Sequence, residues 1–105
     1  MVYRIEFSRR AQRKFESLPK ARQAALEPII SALANDPRPS GAKKVKELDR
    51  CYRLRHGDFR IVYAVYDDRL VVLVLTVADR KEAYTAREIK AMRDELKRRV
   101  RRVGG

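Results

Sequence analysis

The sequence predicts an α+β fold. The expected form is a small antiparallel sheet in the element order β-α-α-β-β-β-α, with an N-terminal helical hairpin packed on it and a basic helix at the C-terminus. Three observations predict it. Strand-like alternation opens the chain at Val2 to Phe7, apolar residues then recur at helical spacing to about residue 35, and three strand-like segments follow one another from Cys51 to Ala78 with only short turns between them. A length of 105 residues suits one domain with one core, so 1–105 is expected to be a single unit, with Gly104 and Gly105 as a frayed end.

In the first strand Tyr3, Ile5 and Phe7 share one face, and Arg4 and Glu6 share the other. Ser8 stands where a helix N-cap belongs. Ala11, Phe15 and Leu18 then recur at helical spacing until Pro19 ends the pattern, on a helix that also carries Arg9, Arg10, Arg13 and Lys14. A second helix is expected from Lys20 to Asn35, with Leu26, Ile29, Ile30 and Leu33 as its apolar stripe. Pro28 falls inside it. Proline lacks the backbone N–H and crowds the carbonyl one turn back, so the expectation is a kink near Ala24, or a break at which Pro28 starts a new helix.

The run Asp36-Pro37-Arg38-Pro39-Ser40-Gly41 is a turn-rich linker, and Ala42 to Leu48 reads as a basic loop. Cys51 to His56 and Phe59 to Tyr66 are strands joined by Gly57-Asp58, with glycine where a type II′ hairpin turn wants it. Asp67-Asp68 makes a second turn. Leu70 to Ala78 is almost wholly apolar and does not alternate, as in a central strand covered on both faces. The last helix is expected from Thr85 to Val103, with Ile89, Met92, Leu96 and Val100 along one stripe.

Charge narrows the function. Lys and Arg number 26 against 14 Asp and Glu, a net charge of +12. Such an excess points to a polyanionic partner, either nucleic acid or an acidic protein, with a merely solvated basic surface as the plain alternative. The lone Cys51 excludes an internal disulfide and suits a reducing compartment; filling space at a strand start is its expected role. His56 is the only imidazole and reads as a turn-edge residue. No metal-ligand cluster is present and no cofactor is expected. The N-terminus alternates and is charged, unlike a signal peptide, and the longest apolar run is too short for a bilayer. The expectation is a cytoplasmic protein with no membrane partner.

The hairpin register singles out the arginines. A two-residue turn at Gly57-Asp58 pairs His56 with Phe59, Leu54 with Ile61 and Tyr52 with Tyr63, and on the other face Arg55 with Arg60 and Arg53 with Val62. Like charges directly across a strand pair destabilise it. A tight turn at Asp67-Asp68 would pair Arg60 with Leu75 and bring Arg80-Lys81 to the same end as Gly57. Arg53, Arg55, Arg60, Arg80 and Tyr84 are therefore expected to converge on one concave patch. Guanidinium groups match phosphate bidentately. A phosphodiester attacked by its own ribose 2′-hydroxyl gains negative charge in a phosphorane, which preorganised cations stabilise more than the ground state. A nearby tyrosine can stack on a base or hydrogen-bond near the phosphate. Arginine is a poor general base, so most of the rate must come from positioning and charge. A patch that holds anions without further role is the competing reading.

The segment Cys51-Tyr52-Arg53-Leu54-Arg55-His56-Gly57-Asp58-Phe59-Arg60-Ile61-Val62-Tyr63 closely resembles the central hairpin of RelE-type toxins in the RelE/ParE superfamily. Val77-Ala78-Asp79-Arg80-Lys81-Glu82-Ala83-Tyr84 resembles the segment after that family's last strand, and Tyr3 to Ser8 with the helix ending at Leu18-Pro19 resembles its opening. The resemblance implies the toxin of a type II toxin–antitoxin pair, an endoribonuclease that enters the ribosomal A site and cuts messenger RNA without a metal, leaving a cyclic phosphate and a free 5′-hydroxyl. By motif position it implies that Arg53 and Arg55 lie near the scissile phosphate, that Arg60 binds it, and that Arg80 and Tyr84 are the family's arginine and tyrosine after the last strand. Lys43, Lys44, Lys46 and Lys81 are the expected RNA-binding lysines. The implied partners are a cognate acidic antitoxin, the ribosome with its rRNA, and messenger RNA.

Three departures from the pattern matter. Some members have lysines where Arg53 and Arg55 stand. Asp79 precedes Arg80 and would either hold it in an ion pair or blunt the site's charge. The basic tail from Arg87 onward is extended, on a helix that in the family lies near where antitoxin docks, or that simply packs by Ile89, Met92 and Leu96. Two other functions remain open on the same residues: a ParE-like inhibitor of DNA gyrase, and a non-catalytic basic nucleic-acid-binding module.

Overall fold

The computed structural model describes residues 2–104, with side chains through Arg99. Gly105 of the expected frayed end, and the Val100 side chain of the expected stripe, lie outside the described residues; Gly104 closes the last helix.

Strand β1 (Arg4–Phe7) leads directly into helix α1 (Arg9–Ser17). Ser8 caps α1 as expected, its hydroxyl oxygen accepting a hydrogen bond from the Ala11 N–H at 3.1 Å. Leu18 and Pro19 are both extended and turn the chain into helix α2 (Lys20–Ala32). The break offered as one outcome at Pro28 does not occur: α2 runs unbroken through it. Pro28 is exposed, while Leu26, Ile30 and Leu33 are buried against the sheet. Burying three such side chains contributes on the order of 5 kcal/mol or more, which exceeds the roughly 3 kcal/mol an interior proline costs. The helix ends three residues before the expected Asn35, in turns closed by the N–H groups of Leu33, Ala34 and Asn35.

The sheet has five strands in the order β1-β5-β4-β3-β2, where β2 is Lys43–Lys44, β3 Cys51–His56, β4 Phe59–Tyr66 and β5 Val71–Asp79. It departs from the sequence reading in three ways. The segment read as a basic loop contributes a two-residue edge strand, β2, antiparallel to β3. Strand β1 lies parallel to β5, so the sheet is mostly rather than wholly antiparallel; alternation shows that a segment is a strand but not which neighbour it chooses. Finally, Arg60 faces Ala78 and not Leu75. The β4–β5 connection is the four residues Asp67 to Leu70 instead of a two-residue turn, with Leu70 at φ 55°, and β5 carries one extra residue, Leu75, between the partners of Val62 and Tyr63. The longer turn and the bulge together move the register by three positions.

The β3–β4 hairpin keeps the expected register at every pair. Gly57 has φ +59° while Asp58 is not in the left-handed region, the pattern of a type II′ turn rather than type I′. One face of the sheet is covered by α1 and α2 through Ala11, Leu26, Ile30 and Leu33, packed on Ile61, Tyr63, Val65, Val72, Val74 and Val77. The other is covered by helix α3 (Ala86–Gly104) through Ile89, Met92 and Leu96. Every residue from Val71 to Ala78 is buried, which is why that run lacks alternation. Among the described residues no helix is long and apolar enough to cross a membrane.

Thr85 caps α3, accepting from the Glu88 N–H at 3.2 Å. Glu88 itself is 4% exposed. Its carboxylate binds Arg10 and Lys14 of α1, and accepts from Thr76 of β5 at 3.3 Å. This buried carboxylate ties the two helical layers together past the edge where β1 ends.

Candidate functional site

Lys43 lies across β2–β3 from Arg53, and Arg55 lies across β3–β4 from Arg60. These pairs stand on the α3 face of the sheet, beyond the end that α3 covers. Lys43, Arg53, Arg55 and Arg60, together with Gly41, line a cavity of about 170 Å³. No carboxylate lines it, and among the described residues none of the four cations forms an ion pair. A cluster of four cations across three strands opposes the folding of the sheet that carries it. Local packing gives no reason for it, whereas a bound anion would.

Tyr84 joins through Arg53, whose guanidinium carbon lies 5.6 Å from the tyrosine ring centroid, within cation–π range. The Tyr84 hydroxyl is buried and has no hydrogen-bond partner among the described residues, and the contact Tyr84 makes with the cluster is through its ring. Arg80 is attached through its backbone: its N–H donates to the Asp58 carbonyl at 2.8 Å, which pins the end of β5 to the hairpin turn. Its exposed side chain is not part of the cavity wall. Asp79 forms no ion pair with Arg80 among the described residues. Its carboxylate accepts from the Lys81 N–H at 2.9 Å, and its carbonyl accepts from Glu82 and Ala83, so it closes the turn that presents Tyr84.

Of the expected RNA-binding lysines only Lys43 lines the cavity. Lys44 faces Tyr52 on the opposite side of the sheet, Lys46 is exposed in the turn after β2, and Lys81 is exposed beside Arg80. Alternation separates Lys43 from Lys44 as soon as the segment pairs as a strand. His56 pairs with Phe59 on the helical-hairpin side and is exposed there, away from the arginines. Cys51 is fully buried and burial pushes its thiol up to about 12, so it fills space. Gly41, read from the sequence only as part of the turn-rich linker, also lines the cavity, and its φ of +95° is a conformation that glycine adopts freely. A larger concavity of about 600 Å³ between α1 and α3 is lined by Arg9, Arg13, Arg98 and Arg99, but it differs from the first in having a carboxylate, Glu95, in its wall, bound to both Arg98 and Arg99.

Residues 5–84 match the family model described as the ParE toxin of the type II toxin–antitoxin system parDE. The chain belongs to the RelE/ParE toxin family. The matched stretch contains the whole cation cluster and ends on Tyr84. This toxin is 30% identical over 89 residues to the mRNA interferase toxin RelE of Escherichia coli, covering 81% of this chain and 93% of that one. It is likewise 30% identical over 83 residues to toxin RelE of Mycobacterium tuberculosis, covering 78% and 86%. Its fold matches the free state of an E. coli RelE carrying two arginine-to-alanine substitutions, with a TM-score of 0.73 at 24% identity, covering 91% of this chain and 99% of that one. It also matches the archaeal RelE–RelB complex of Pyrococcus horikoshii, with a TM-score of 0.67 at 27% identity, covering 79% and 100%.

Proposed function

We propose that this toxin is a metal-independent, ribosome-dependent endoribonuclease that cuts messenger RNA in the A site, and that a cognate acidic antitoxin silences it. The observation that carries the reading is the cavity lined by Lys43, Arg53, Arg55 and Arg60 with no carboxylate in its wall. Support also comes from the E. coli relative's description as an mRNA interferase and from the RelE–RelB complex of the archaeal relative.

In the proposed step the ribose 2′-oxygen bonds to the adjacent phosphorus and the bond from phosphorus to the 5′-oxygen breaks, leaving a 2′,3′-cyclic phosphate and a 5′-hydroxyl. Arg60 and its neighbours hold the non-bridging oxygens as their charge grows, a contribution of about 2–4 kcal/mol for each well-placed donor. Tyr84 supports Arg53 through its ring, and Arg80 approaches the RNA from the end of β5. The arginines lining the cavity stay protonated and cannot take the 2′-proton, which passes to water, the ribosome or the RNA, and the departing 5′-oxygen takes up a proton from the same sources to become the 5′-hydroxyl. Lys44, Lys46 and Lys81 lie outside the cavity and serve as outlying contacts to the RNA backbone.

Toeprinting on translating ribosomes tests this. New ends in the A site are expected with the wild type and absent with Arg60→Ala or Arg80→Ala, both verified as folded, and both variants should relieve growth arrest. A folded variant with full toxicity removes the site assignment. The match to the model named for ParE favours a second reading, inhibition of DNA gyrase; intact messages together with poisoned gyrase would establish it instead. The antitoxin complex should weaken strongly with salt.

A further inference from the structure

One wall of the cation cavity is fastened from the far side of the sheet. Arg38 lies in the linker that precedes β2. Its Nη1 and Nη2 donate to the two carboxylate oxygens of Asp67, in the β4–β5 turn, at 3.2 and 2.7 Å. Its Nε donates to the Tyr52 hydroxyl at 3.0 Å. The Tyr3 hydroxyl donates to the same Asp67 at 2.6 Å. The Tyr52 ring stacks with Tyr63, with centroids 6.1 Å apart, and the Tyr63 hydroxyl donates to the carbonyl of buried Pro37 at 2.8 Å. The residue before β1, the linker, β3 and the β4–β5 turn thus meet at a single guanidinium.

Tyr52 and Tyr63 stand on the helical-hairpin face, whereas Gly41 and Lys43 stand at the cavity on the other. The linker therefore wraps the β3 edge, anchored at Pro37 and Arg38 and delivering Gly41 and Lys43 only a few residues later. Strand β2 has just two residues. Beyond it Val45 is buried and its N–H donates to the Cys51 carbonyl at 3.0 Å, so Lys43 is anchored on its C-terminal side by β3 and on its N-terminal side by the linker, where Arg38 is held. We propose that Arg38 and Asp67 are positioning residues for the cavity: their clamp sets the path of the linker and so holds Gly41 and Lys43 against Arg53, Arg55 and Arg60. The role needs arginine, because Asp67 takes two donors and Tyr52 a third from one planar fork. The inference rests on reading the cavity as an RNA phosphate site.

Exposure makes the clamp testable. The side chains of Arg38 and Asp67 are 42% and 57% exposed, and an ion pair so placed contributes little to global stability, so variants should fold. The experiment compares Arg38→Gln, Arg38→Lys, Asp67→Asn and the control Arg4→Gln, which removes the same charge from an exposed ion pair elsewhere. Two readouts are taken on each: amide exchange at Lys43 and Val45, whose N–H groups face β3, and affinity for a short RNA made uncleavable by 2′-deoxy substitution. The three clamp variants should speed exchange at those amides and weaken RNA binding by about fivefold, the scale of one modest ion pair. Arg4→Gln should leave the exchange unchanged.

Asp67→Asn is decisive, because it raises net charge by one. If charge alone governs binding it binds RNA more tightly; if position governs, it binds more weakly. Tighter binding by Asp67→Asn, or unchanged exchange at Lys43 and Val45 in the clamp variants, overturns the proposal. A wild type that cuts no message would refute the nuclease reading, while exchange and oligonucleotide affinity still judge the clamp.

Discussion

Replacing Arg60 with methionine removes one of four cations that face one another across β2, β3 and β4, and keeps an unbranched stem at a half-buried position. Directly opposed residues have Cβ atoms about 5 Å apart. If the Arg55 and Arg60 guanidinium groups splay to about 7 Å in a water-lined cavity of effective dielectric about 40–80, their repulsion is about 0.6–1.2 kcal/mol. Arg53 and Lys43 lie one same-face position further along and add a smaller amount, while exposure of Arg55 subtracts some. The expected net gain for Arg60→Met is about 1 kcal/mol, or about 4–8 °C in Tm for a domain of this size. The assay is thermal unfolding followed by circular dichroism in 10 mM and 1 M salt. Screening shortens from about 30 Å to about 3 Å between those conditions, so the gain should appear in the first and vanish in the second. The same variant should lose about 100- to 1,000-fold in message cleavage. Stability bought at the expense of function is what a built binding site predicts. A variant no more stable than wild type at low salt, or one whose gain ignores salt, would refute the claim that the cluster strains the sheet.

Three further outcomes follow from the structure. Glu88→Gln leaves Lys14 and Arg10 without their buried carboxylate and should cost about 2–3 kcal/mol in urea unfolding, below the range for a fully buried pair because Arg10 is 43% exposed; a loss under about 0.5 kcal/mol would show that the network contributes nothing. Tyr84→Phe removes a buried hydroxyl that has no partner, so stability should hold or rise by up to about 1 kcal/mol and cleavage should persist, whereas Tyr84→Ala, which removes the ring under Arg53, should lose cleavage; equal loss in both would assign the work to the hydroxyl. Arg38 holds the Asp67 carboxyl at about 2, below its unfolded value of about 4, so its contribution is complete above about pH 4 and is lost as pH falls toward 2. The stability gap between wild type and Asp67→Asn should therefore be small, because the pair is exposed, should stay constant near neutrality and should close over that acid window, and a gap unchanged at pH 2 would contradict the assignment.

Local chemistry made much of the molecule legible. The Ser8 cap, the stop at Leu18-Pro19, the type II′ turn at Gly57 and the register from Cys51 to Tyr66 all depend on neighbours close in the chain. The opposition of Arg55 and Arg60 followed from that register alone, because a two-residue turn leaves no freedom in who faces whom. The β4–β5 register was not legible. Asp67-Asp68 resembles a tight turn, but Asp67 is held by Arg38 and Tyr3, and the chain continues to a left-handed Leu70 before β5 begins. The site showed the same division. Arg53, Arg55 and Arg60 share a face by alternation, but Arg80 meets the cluster's end by a backbone bond and not as a wall of the cavity, and Lys43 parts company with Lys44 only once β2 pairs.

From its residues alone this chain determined its α+β class, its elements other than the edge strand β2, and the cross-strand arginines, since each depends on periodicity or on a turn of known length. Tertiary structure decided the parallel place of β1, the bulge at Leu75, the buried Glu88 bridge and the Arg38 clamp that brings Gly41 and Lys43 to the cavity. Those features join residues tens of positions apart in the chain. Their energies exist only after the sheet has brought the partners together, so no local pattern encodes them.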